Sequence, residues 1–554
     1  MKSTKIVIVG GVAGGATAAA RARRLDEQAE IVIFERGEHI SFANCGLPYY
    51  IGGTIKKRDN LLVTTAEDFT NRYRIDIRSS CEVLSIHRTE KKVEFKNLLT
   101  GTTDTESYDK LILSPGAEPI RPPLPGIDSK QIFNLRNIPD TDRIKEYVDQ
   151  KKPDRAVIVG GGFIGLEMVE NLATKGIETI IIEKMNQVMA PLDYEMASLI
   201  HEHLWMKQVD CKLDSAVSSF KEAADKIVVT TDRGEEIECD LVILSIGVRP
   251  ENTLARESGL EIGKSGGIKV DSSMKTSDPD IYAVGDAVEV MDYITQRPVV
   301  MPLAGPANKQ GRIAADNALG RKTLFPGTLG TSIVKIFDLS VASTGASEKV
   351  LKSANTPYEV SYTHAASNAT YYPGAVMLAF KLIFSPGSGR ILGAQIVGEK
   401  GVDKRIDVIA TAIRGNMTVF DLEELELAYA PPYSSAKDPV NIAGYVGANI
   451  LKGDMNILNW DELENIDQNR YRLIDLREDI ELKLTGTINE AIHIPLDTLR
   501  DRLSELDKDI HYLTFCAVGL RAYIAHRILV QNGFKSTNMS GGYITWTGFQ
   551  ETPE

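Results

Sequence analysis

The five cysteines are the residues whose chemistry most needs explaining. Cys45, Cys81, Cys211, Cys239 and Cys516 are widely scattered, and no two of them have CxxC or metal-ligand spacing. An odd number of isolated cysteines argues against a disulfide scaffold or a zinc site, so no bound metal is expected. A reducing compartment follows, and we predict a cytoplasmic protein. Each cysteine is then either a buried apolar residue or a reactive thiol.

The length and composition of the chain indicate that several domains position these thiols. The chain has 554 residues, a net charge of −13, 25% charged and 43% hydrophobic residues, which is the composition of a folded multidomain protein. The acidic balance argues against nucleic acid or a membrane as partner, although a local basic patch could bind a small anion. The early apolar stretch 6–20 contains four glycines, so it predicts strand, turn and helix rather than a signal peptide.

A glycine-rich turn follows the first apolar run, 5–9. It contains Gly10, Gly11, Ala13, Gly14 and Gly15, and the next apolar run ends in Glu35 with Arg36 beside it. This is the pattern of a dinucleotide-binding βαβ unit, except that Val12 occupies the place of the usual middle glycine. We expect a helix N-terminus to face a pyrophosphate and Glu35 to accept a hydrogen bond from a ribose hydroxyl.

The same arrangement recurs about 150 residues later. Strand-like residues 156–159 lead into Gly160, Gly162, Phe163, Ile164 and Gly165, and Glu183 ends the following apolar run. A single GxGxxG turn is weak evidence, but two copies with flanking strands and acids predict two nucleotide sites in an α/β protein. Glu183 favours NADH, whereas the adjacent Lys184 suits a 2′-phosphate, so the choice between NADH and NADPH stays open.

Three further strand-and-turn motifs complete a recognisable order. They are the apolar runs that end at Gly116 and Gly247 and the run that ends at Gly285-Asp286. With both glycine turns, residues 1–450 resemble the pyridine nucleotide–disulfide oxidoreductase family. The resemblance implies FAD held partly by Asp286, NAD(P)H on the second glycine turn, and a homodimer. It also implies that a helix starting near Pro302 and Ala304 faces the flavin and stabilises its anionic reduced form.

The resemblance predicts the domain order. We expect an FAD-binding domain in two parts (1–150 and 271–330), an NAD(P)H-binding domain (151–270) and an α+β dimerisation domain (331–450). Both nucleotide domains should be Rossmann-like. An acidic, polar stretch, 451–469, is predicted to be a linker to a last domain, 470–554.

Cys45 lies where a redox cysteine of this family would pass the flavin. The dithiol members carry CxxxxC, but here Tyr50 occupies the second position, so Cys45 must form a sulfenic acid or a mixed disulfide with a small thiol. The segment from Ser41 to Tyr50 resembles that of coenzyme A–disulfide reductases. The peroxide- and oxygen-reducing branch keeps a histidine where this chain has Ala13, which favours the mixed disulfide.

Three polar residues share one face of the helix after the first glycine turn. Thr17, Arg21 and Arg24 have the spacing i, i+4 and i+7. The simpler interpretation is a solvated basic face. The resemblance instead implies that these residues, with Ser41 and Asn44, line a coenzyme A channel, where guanidinium groups would suit the phosphates.

Two tyrosine-containing motifs occur in the predicted dimerisation domain. The resemblance implies that one tyrosine from each reaches the redox centre of the partner subunit and protonates a departing thiolate. By register we favour Tyr371 and Tyr429 over Tyr372 and Tyr433. The alternative is that these aromatic rings simply pack at the dimer interface.

The second reactive thiol is predicted in the last domain. An apolar strand enters the loop from Cys516 to Arg521, and a helix follows, so backbone N–H groups and a helix N-terminus would stabilise a thiolate, persulfide or bound anion. The segment resembles a single rhodanese domain. Its Cys-x4-Arg loop suits sulfane sulfur, whereas related phosphatases use Cys-x5-Arg. The other three cysteines are interpreted as core residues.

These motifs together favour one function over two alternatives. We expect an FAD- and NAD(P)H-dependent enzyme that reduces coenzyme A disulfide, coenzyme A persulfide or polysulfide at Cys45, while Cys516 carries sulfane sulfur. One alternative is an NADH oxidase or peroxidase with a sulfenic acid at Cys45. The other is a sulfur-transfer protein whose flavin portion is mainly regulatory.

Overall fold

The computed structural model describes residues 3–467 and 470–550, and it divides into two compact units. The first consists of Met1–Val188 and Val209–Gly330, and the second of Met189–Gln208 and Thr331–Glu554. Among the described residues, no helix is long and apolar enough to cross a membrane. The α/β fold class is confirmed, since each glycine-rich turn follows the central strand of a parallel sheet.

The first unit contains two five-stranded parallel sheets. In spatial order, one consists of Ile281–Ala283, Lys110–Leu113, Lys5–Val9, Glu30–Glu35 and Asp76–Ser79. The other consists of Asp210–Lys212, Glu178–Ile182, Arg155–Val159, Leu241–Leu244 and Ile132–Phe133. Their central strands are buried apolar runs, as expected for parallel strands covered on both faces. Pairing of 281–283 with 110–113 joins the two segments predicted to form one FAD-binding domain.

Helices and short antiparallel sheets complete this unit. The helices are Ala13–Leu25, Leu47–Gly52, Ala66–Tyr73, Ile138–Lys151, Phe163–Ala173, Thr253–Glu257 and Ala304–Ala318. The antiparallel pairs and triplets are Cys81–His87 with Lys92–Asn97 and Thr103–Ser107, Val217–Ala223 with Lys226–Thr231 and Glu236–Cys239, and Ala117–Pro119 with Val248–Pro250. Ile268–Lys269, Val288–Met291 and Pro298–Val300 form a small mixed sheet.

The second unit begins with a five-stranded antiparallel sheet. Its order is Ser332–Ile336, Leu339–Gly345, Ile391–Gly398, Met377–Phe384 and Glu359–Ala366. The accompanying helices are Tyr194–Met206, Glu348–Ala354, Val402–Arg414, Val419–Glu424 and Pro439–Leu451. The sheet and helices agree with the α+β character predicted for this segment.

A buried lysine organises the charged interior of this sheet. Lys381 is fully buried and pairs with Asp193 at 2.8 Å, with Glu348 at 2.6 Å and with Glu195. The three carboxylates converge closely enough to resemble a metal site. The Lys381 ammonium group already bonds to all three, so it supplies the cation that such a buried cluster requires.

A five-stranded parallel sheet forms the end of the unit. Its order is Ile457–Leu458, Lys535–Met539, His511–Phe515, Tyr471–Asp475 and Ile492–His493, with helices Asp479–Thr485, Leu520–Gln531 and Gly542–Gln550. The segment 451–469, predicted as a linker, therefore contributes an edge strand. The two residues of this strand, Ile457 and Leu458, pair with Asn538 and Met539, and this satisfies backbone groups at the sheet edge.

The segment Ser540–Thr545 contacts a strand of the antiparallel sheet at several points. The Tyr362 amide donates to the Ser540 hydroxyl at 3.2 Å, and His364 Nε2 lies 2.8 Å from the Thr545 hydroxyl. Burial lowers the pKa of His364 to about 4, so the imidazole is neutral at physiological pH. A side chain at Gly541 would place Cβ 2.8 Å from the Cβ of Tyr362, so the backbones approach closely there.

Candidate active sites

The first glycine turn is held rigidly by Glu35. The two carboxylate oxygens accept hydrogen bonds from the amides of Gly11 and Gly37, each at 2.8 Å. A Cβ on Gly15 would lie 1.8 Å from the carbonyl oxygen of Gly10, so only glycine fits at this position. Arg36, beside Glu35, is half exposed and pairs with Glu118 at 3.4 Å. Ala13 and Gly14 begin the helix.

The second turn repeats this geometry. Glu183 accepts hydrogen bonds from Gly161 at 2.7 Å and Met185 at 2.9 Å, and a Cβ on Gly165 would lie 2.0 Å from the Gly160 carbonyl oxygen. Gly162 is the N-cap of the helix that Phe163 and Ile164 begin. The space beside Gly162 is open within 4 Å. Both turns therefore present amide groups and a fixed acid in the arrangement that a dinucleotide requires.

The remaining predicted cofactor-binding residues lie at strand ends of the same unit. Gly116 and Gly247 have positive φ values of 78° and 104°, and Gly285 donates its amide to Gln310 at 2.8 Å. Burial raises the pKa of Asp286, and Arg136 partly opposes this. Pro302 immediately precedes the turn into the helix that Ala304 begins. These residues fit an FAD site, with Asp286 as an acceptor for polyol hydroxyls.

Cys45 lies in a short 3-10 turn, Asn44–Gly46, directly before helix Leu47–Gly52. All five cysteines are free, and Cys45 is the exposed one. Ser41 has a φ of 47° and donates its amide to the Gly11 carbonyl at 3.0 Å, which ties the cysteine segment to the first glycine turn. Partial desolvation, Glu167 and Asp286 raise the pKa of the Cys45 thiol.

Glu167 and Tyr49 form a pair that the sequence motifs do not indicate. The Tyr49 hydroxyl donates to Glu167 Oε1 at 3.4 Å. Burial raises the pKa of Glu167 to about 7, while the Tyr49 hydrogen bond lowers it and Glu170 raises it. An acid within the otherwise apolar first half of helix Phe163–Ala173 was the available sequence signal. Glu167 is one helical turn from Phe163 at the nucleotide turn and interacts electrostatically with Cys45.

The predicted basic face is divided between helix contacts and solvent. Thr17 donates to Asn308 at 2.6 Å, and Arg21 pairs with Asp316 at 2.7 Å. Both partners belong to helix Ala304–Ala318. Arg24 is exposed. Arg21 is thus partly committed to a structural ion pair, and a role for Thr17, Arg21 and Arg24 in binding coenzyme A stays a prediction, as it does for Ser41 and Asn44.

The two favoured tyrosines meet in the second unit. The hydroxyls of Tyr371 and Tyr429 are 2.7 Å apart, and this hydrogen bond raises the pKa of Tyr371. Both rings are exposed, at 74% and 47%. Tyr372 and Tyr433 are also exposed, but the described hydrogen bonds join only the favoured pair.

The Cys516 loop lies between strand His511–Phe515 and helix Leu520–Gln531. Cys516 is buried, and the Gly519 amide lies 3.2 Å from its sulfur. The Tyr543 amide donates to the Cys516 carbonyl at 2.7 Å. Arg521 makes a two-pronged ion pair with Glu481, at 2.6 and 2.7 Å. The loop therefore places a backbone donor and a guanidinium group near one thiol.

The other cysteines have surroundings that suit core residues. Cys81 and Cys239 are buried, and Cys211 is half buried. Desolvation raises the pKa of all three thiols, to about 12 for Cys211 and Cys239. Such thiols are poor nucleophiles at neutral pH.

Comparison with known families decides the assignment. Residues 4–311 match the family described as pyridine nucleotide-disulphide oxidoreductase, and residues 331–439 match the dimerisation domain of that family. The chain belongs to the pyridine nucleotide-disulphide oxidoreductase family. Residues 461–548 match the rhodanese-like domain. The predicted resemblance is confirmed, and the protein is an NAD(P)H-dependent FAD oxidoreductase. The predicted domain boundaries and site residues stay predictions.

Similar proteins include coenzyme A disulfide reductases and a persulfide reductase. The coenzyme A disulfide reductase of Staphylococcus haemolyticus is 37% identical over 80% of this chain and 98% of its own length. The reduced CoADR-RHD of Bacillus anthracis is 53% identical, with a TM-score of 0.97 over 99% of this chain and 98% of its own. An NAD-dependent persulfide reductase from A. fulgidus is 37% identical, with a TM-score of 0.91 over 98% and 100%.

Proposed function

We propose that this oxidoreductase reduces coenzyme A disulfide, coenzyme A persulfide or polysulfide at Cys45, while Cys516 carries sulfane sulfur. The observation that carries the proposal is the state of the cysteines. Cys45 is the exposed one of five free thiols, and Tyr50 occupies the position of a second redox cysteine. The names of the relatives add coenzyme A disulfide and persulfide as substrate classes.

The chain's own groups then have defined tasks. The first glycine turn, Glu35 and Asp286 would hold FAD, which would supply two electrons from NAD(P)H to a disulfide at Cys45. The Cys45 thiolate attacks one sulfur of the substrate, forms a mixed disulfide and releases one thiolate or hydrosulfide. Reduction of the mixed disulfide releases the second thiol and regenerates Cys45.

Protonation of the departing thiolate falls to the tyrosine pair. A tyrosine hydroxyl is protonated at neutral pH, so Tyr371 can donate a proton to the thiolate. We propose that Tyr371 and Tyr429 act on the partner subunit's redox centre, which would make the homodimer the functional enzyme. The matched dimerisation domain supports this arrangement.

The test compares four acceptors. Purified enzyme is mixed with NADH or NADPH and with coenzyme A disulfide, coenzyme A persulfide, polysulfide or oxygen, and nucleotide oxidation is followed. We expect turnover with the sulfur substrates to exceed oxygen turnover, and Cys45→Ser to abolish it while FAD remains bound. Cys211→Ser is the control and should retain activity. Oxygen turnover above disulfide turnover, or an active Cys45→Ser enzyme, would contradict the proposal.

A further inference from the structure

The Cys516 loop contains one cationic side chain. Ala517, Val518, Gly519 and Leu520 separate the thiol from Arg521, so the loop itself offers no other charge. The hydrogen bond to Glu481 raises the pKa of Arg521, and the Cys516 thiol contributes in the same direction. The guanidinium group therefore interacts with both a carboxylate and the reactive sulfur, and the carboxylate offsets its positive charge.

Glu481 is itself fixed in place. It is the third residue of helix Asp479–Thr485, and its Oε2 accepts the Glu478 amide at 2.9 Å in a capping box. The same carboxylate receives both prongs of Arg521. Arg521 lowers the pKa of Glu481 to about 2, so Glu481 is ionised throughout the physiological range.

The other ionisable groups close to the loop are already paired. Asp475 and Arg477 bond to each other at 2.7 Å, and the Arg477 guanidinium lies 3.8 Å from the centre of the Tyr543 ring. The Tyr543 hydroxyl donates to the Thr485 carbonyl at 2.6 Å. Among the described contacts of the loop, Glu481 is thus the group that offsets the charge of Arg521.

We propose that Glu481 is a positioning residue that fixes Arg521 and limits the positive charge at Cys516, so that Cys516 takes sulfane sulfur from thiol persulfides in preference to thiosulfate. The inference rests on the proposed sulfur-carrying role of Cys516. It concerns the donor that this site selects.

The chemistry of the two donors explains the preference. The Cys516 thiolate attacks the outer sulfur of R–S–SH, a new S–S bond forms, and the donor S–S bond breaks. The thiolate R–S⁻ leaves and takes up the proton, which yields R–SH and a Cys516 persulfide anion without net oxidation. With thiosulfate the leaving group is the sulfite dianion, which requires more cationic stabilisation than an Arg521 neutralised by Glu481 provides.

The experiment uses the full-length reduced protein and follows the Cys516 peptide by mass spectrometry. One measurement is the rate at which the peptide gains a sulfur atom from glutathione persulfide or thiosulfate. The other is the pH dependence of its alkylation by iodoacetamide. Wild type, Glu481→Gln and Glu481→Asp are compared. Glu505→Gln is the matched control, since Glu505 forms a similar two-pronged pair with Arg502.

Removal of the Glu481 charge should change the ratio of the thiosulfate and persulfide rates by about tenfold. The same free energy corresponds to a shift of about one unit in the midpoint of Cys516 alkylation. We expect Glu481→Gln to raise the thiosulfate-to-persulfide rate ratio and to shift the alkylation midpoint to lower pH. Glu481→Asp and Glu505→Gln should remain close to wild type. An unchanged ratio and midpoint in Glu481→Gln, or an equal change in Glu505→Gln, would overturn the proposal.

Failure of the sulfur-carrying role of Cys516 is distinguishable from failure of its donor preference. If wild-type Cys516 gained no sulfur from either donor, the sulfur-carrying function and the donor preference would both be wrong. The alkylation profile of Glu481→Gln would still decide whether Glu481 controls the charge at Cys516.

Discussion

The hydroxyl oxygens of Tyr371 and Tyr429 lie 2.7 Å apart, although 58 residues separate them in the chain. Each comes from an exposed loop of the second unit, so no core packing forces the two rings together. Because the two exposed hydroxyls are hydrogen-bonded to each other, they can act together as a single proton donor. This geometry favours Tyr371 and Tyr429 over their aromatic neighbours.

Removal of either hydroxyl should slow turnover. We expect Tyr371→Phe and Tyr429→Phe each to lower the kcat for coenzyme A disulfide by about tenfold or more, because a positioned acid typically contributes at least that much. The matched controls are Tyr372→Phe and Tyr433→Phe, which should keep most of their activity. Larger losses in the controls would show that the other register is the functional one.

The nucleotide preference should follow Glu183. Its carboxylate is fixed by two backbone amides. An acid at this position of a dinucleotide-binding unit favours a ribose 2′-hydroxyl and repels a 2′-phosphate. We expect NADH to be the better substrate, and Glu183→Ala to raise the kcat/KM ratio of NADPH to NADH by about tenfold. Glu178→Ala is the control, since Glu178 is an exposed acid at the start of the strand that precedes Glu183. Equal use of both nucleotides by the wild type would refute the prediction.

The reactivity of Cys45 should depend on Glu167. The carboxylate of Glu167 opposes formation of the Cys45 thiolate, so its neutralisation lowers the pKa of that thiol. We therefore expect the pH profile of Cys45 alkylation to move to lower pH in Glu167→Gln. The intact protein is alkylated, and the extent of reaction is measured on the Cys45 peptide after digestion. Glu178→Gln should leave the profile in place. A shift to higher pH in Glu167→Gln would mean that the carboxylate acts as a base towards Cys45.

The nucleotide-binding turns could be predicted because their requirements are local. Gly15 and Gly165 are each needed where a helix passes a carbonyl oxygen of its own turn, and the acids Glu35 and Glu183 follow at the end of the next strand. The same holds for the Cys516 loop, whose strand, glycine and helix are contiguous. Short-range geometry leaves a readable pattern of residue types.

The partners of the reactive groups could not be predicted from the sequence because they are distant. Glu481 lies 40 residues from Arg521, and Tyr49 lies 118 from Glu167. None of these four positions is restricted to one residue type by backbone geometry, so composition does not single them out. Burial and mutual approach determine their properties, and both depend on the folded chain.

The contact between Ser540–Thr545 and the antiparallel sheet bears on how such fusions can be rearranged. The same short segment receives Tyr362 and His364 on one side and, through Tyr543, supports the Cys516 carbonyl on the other. Transplanting the rhodanese-like portion onto a different reductase would therefore require a host sheet with matching hydrogen-bonding groups and a close backbone approach at Gly541. The segment Ser540–Thr545 therefore links the geometry of the Cys516 loop to that of the antiparallel sheet.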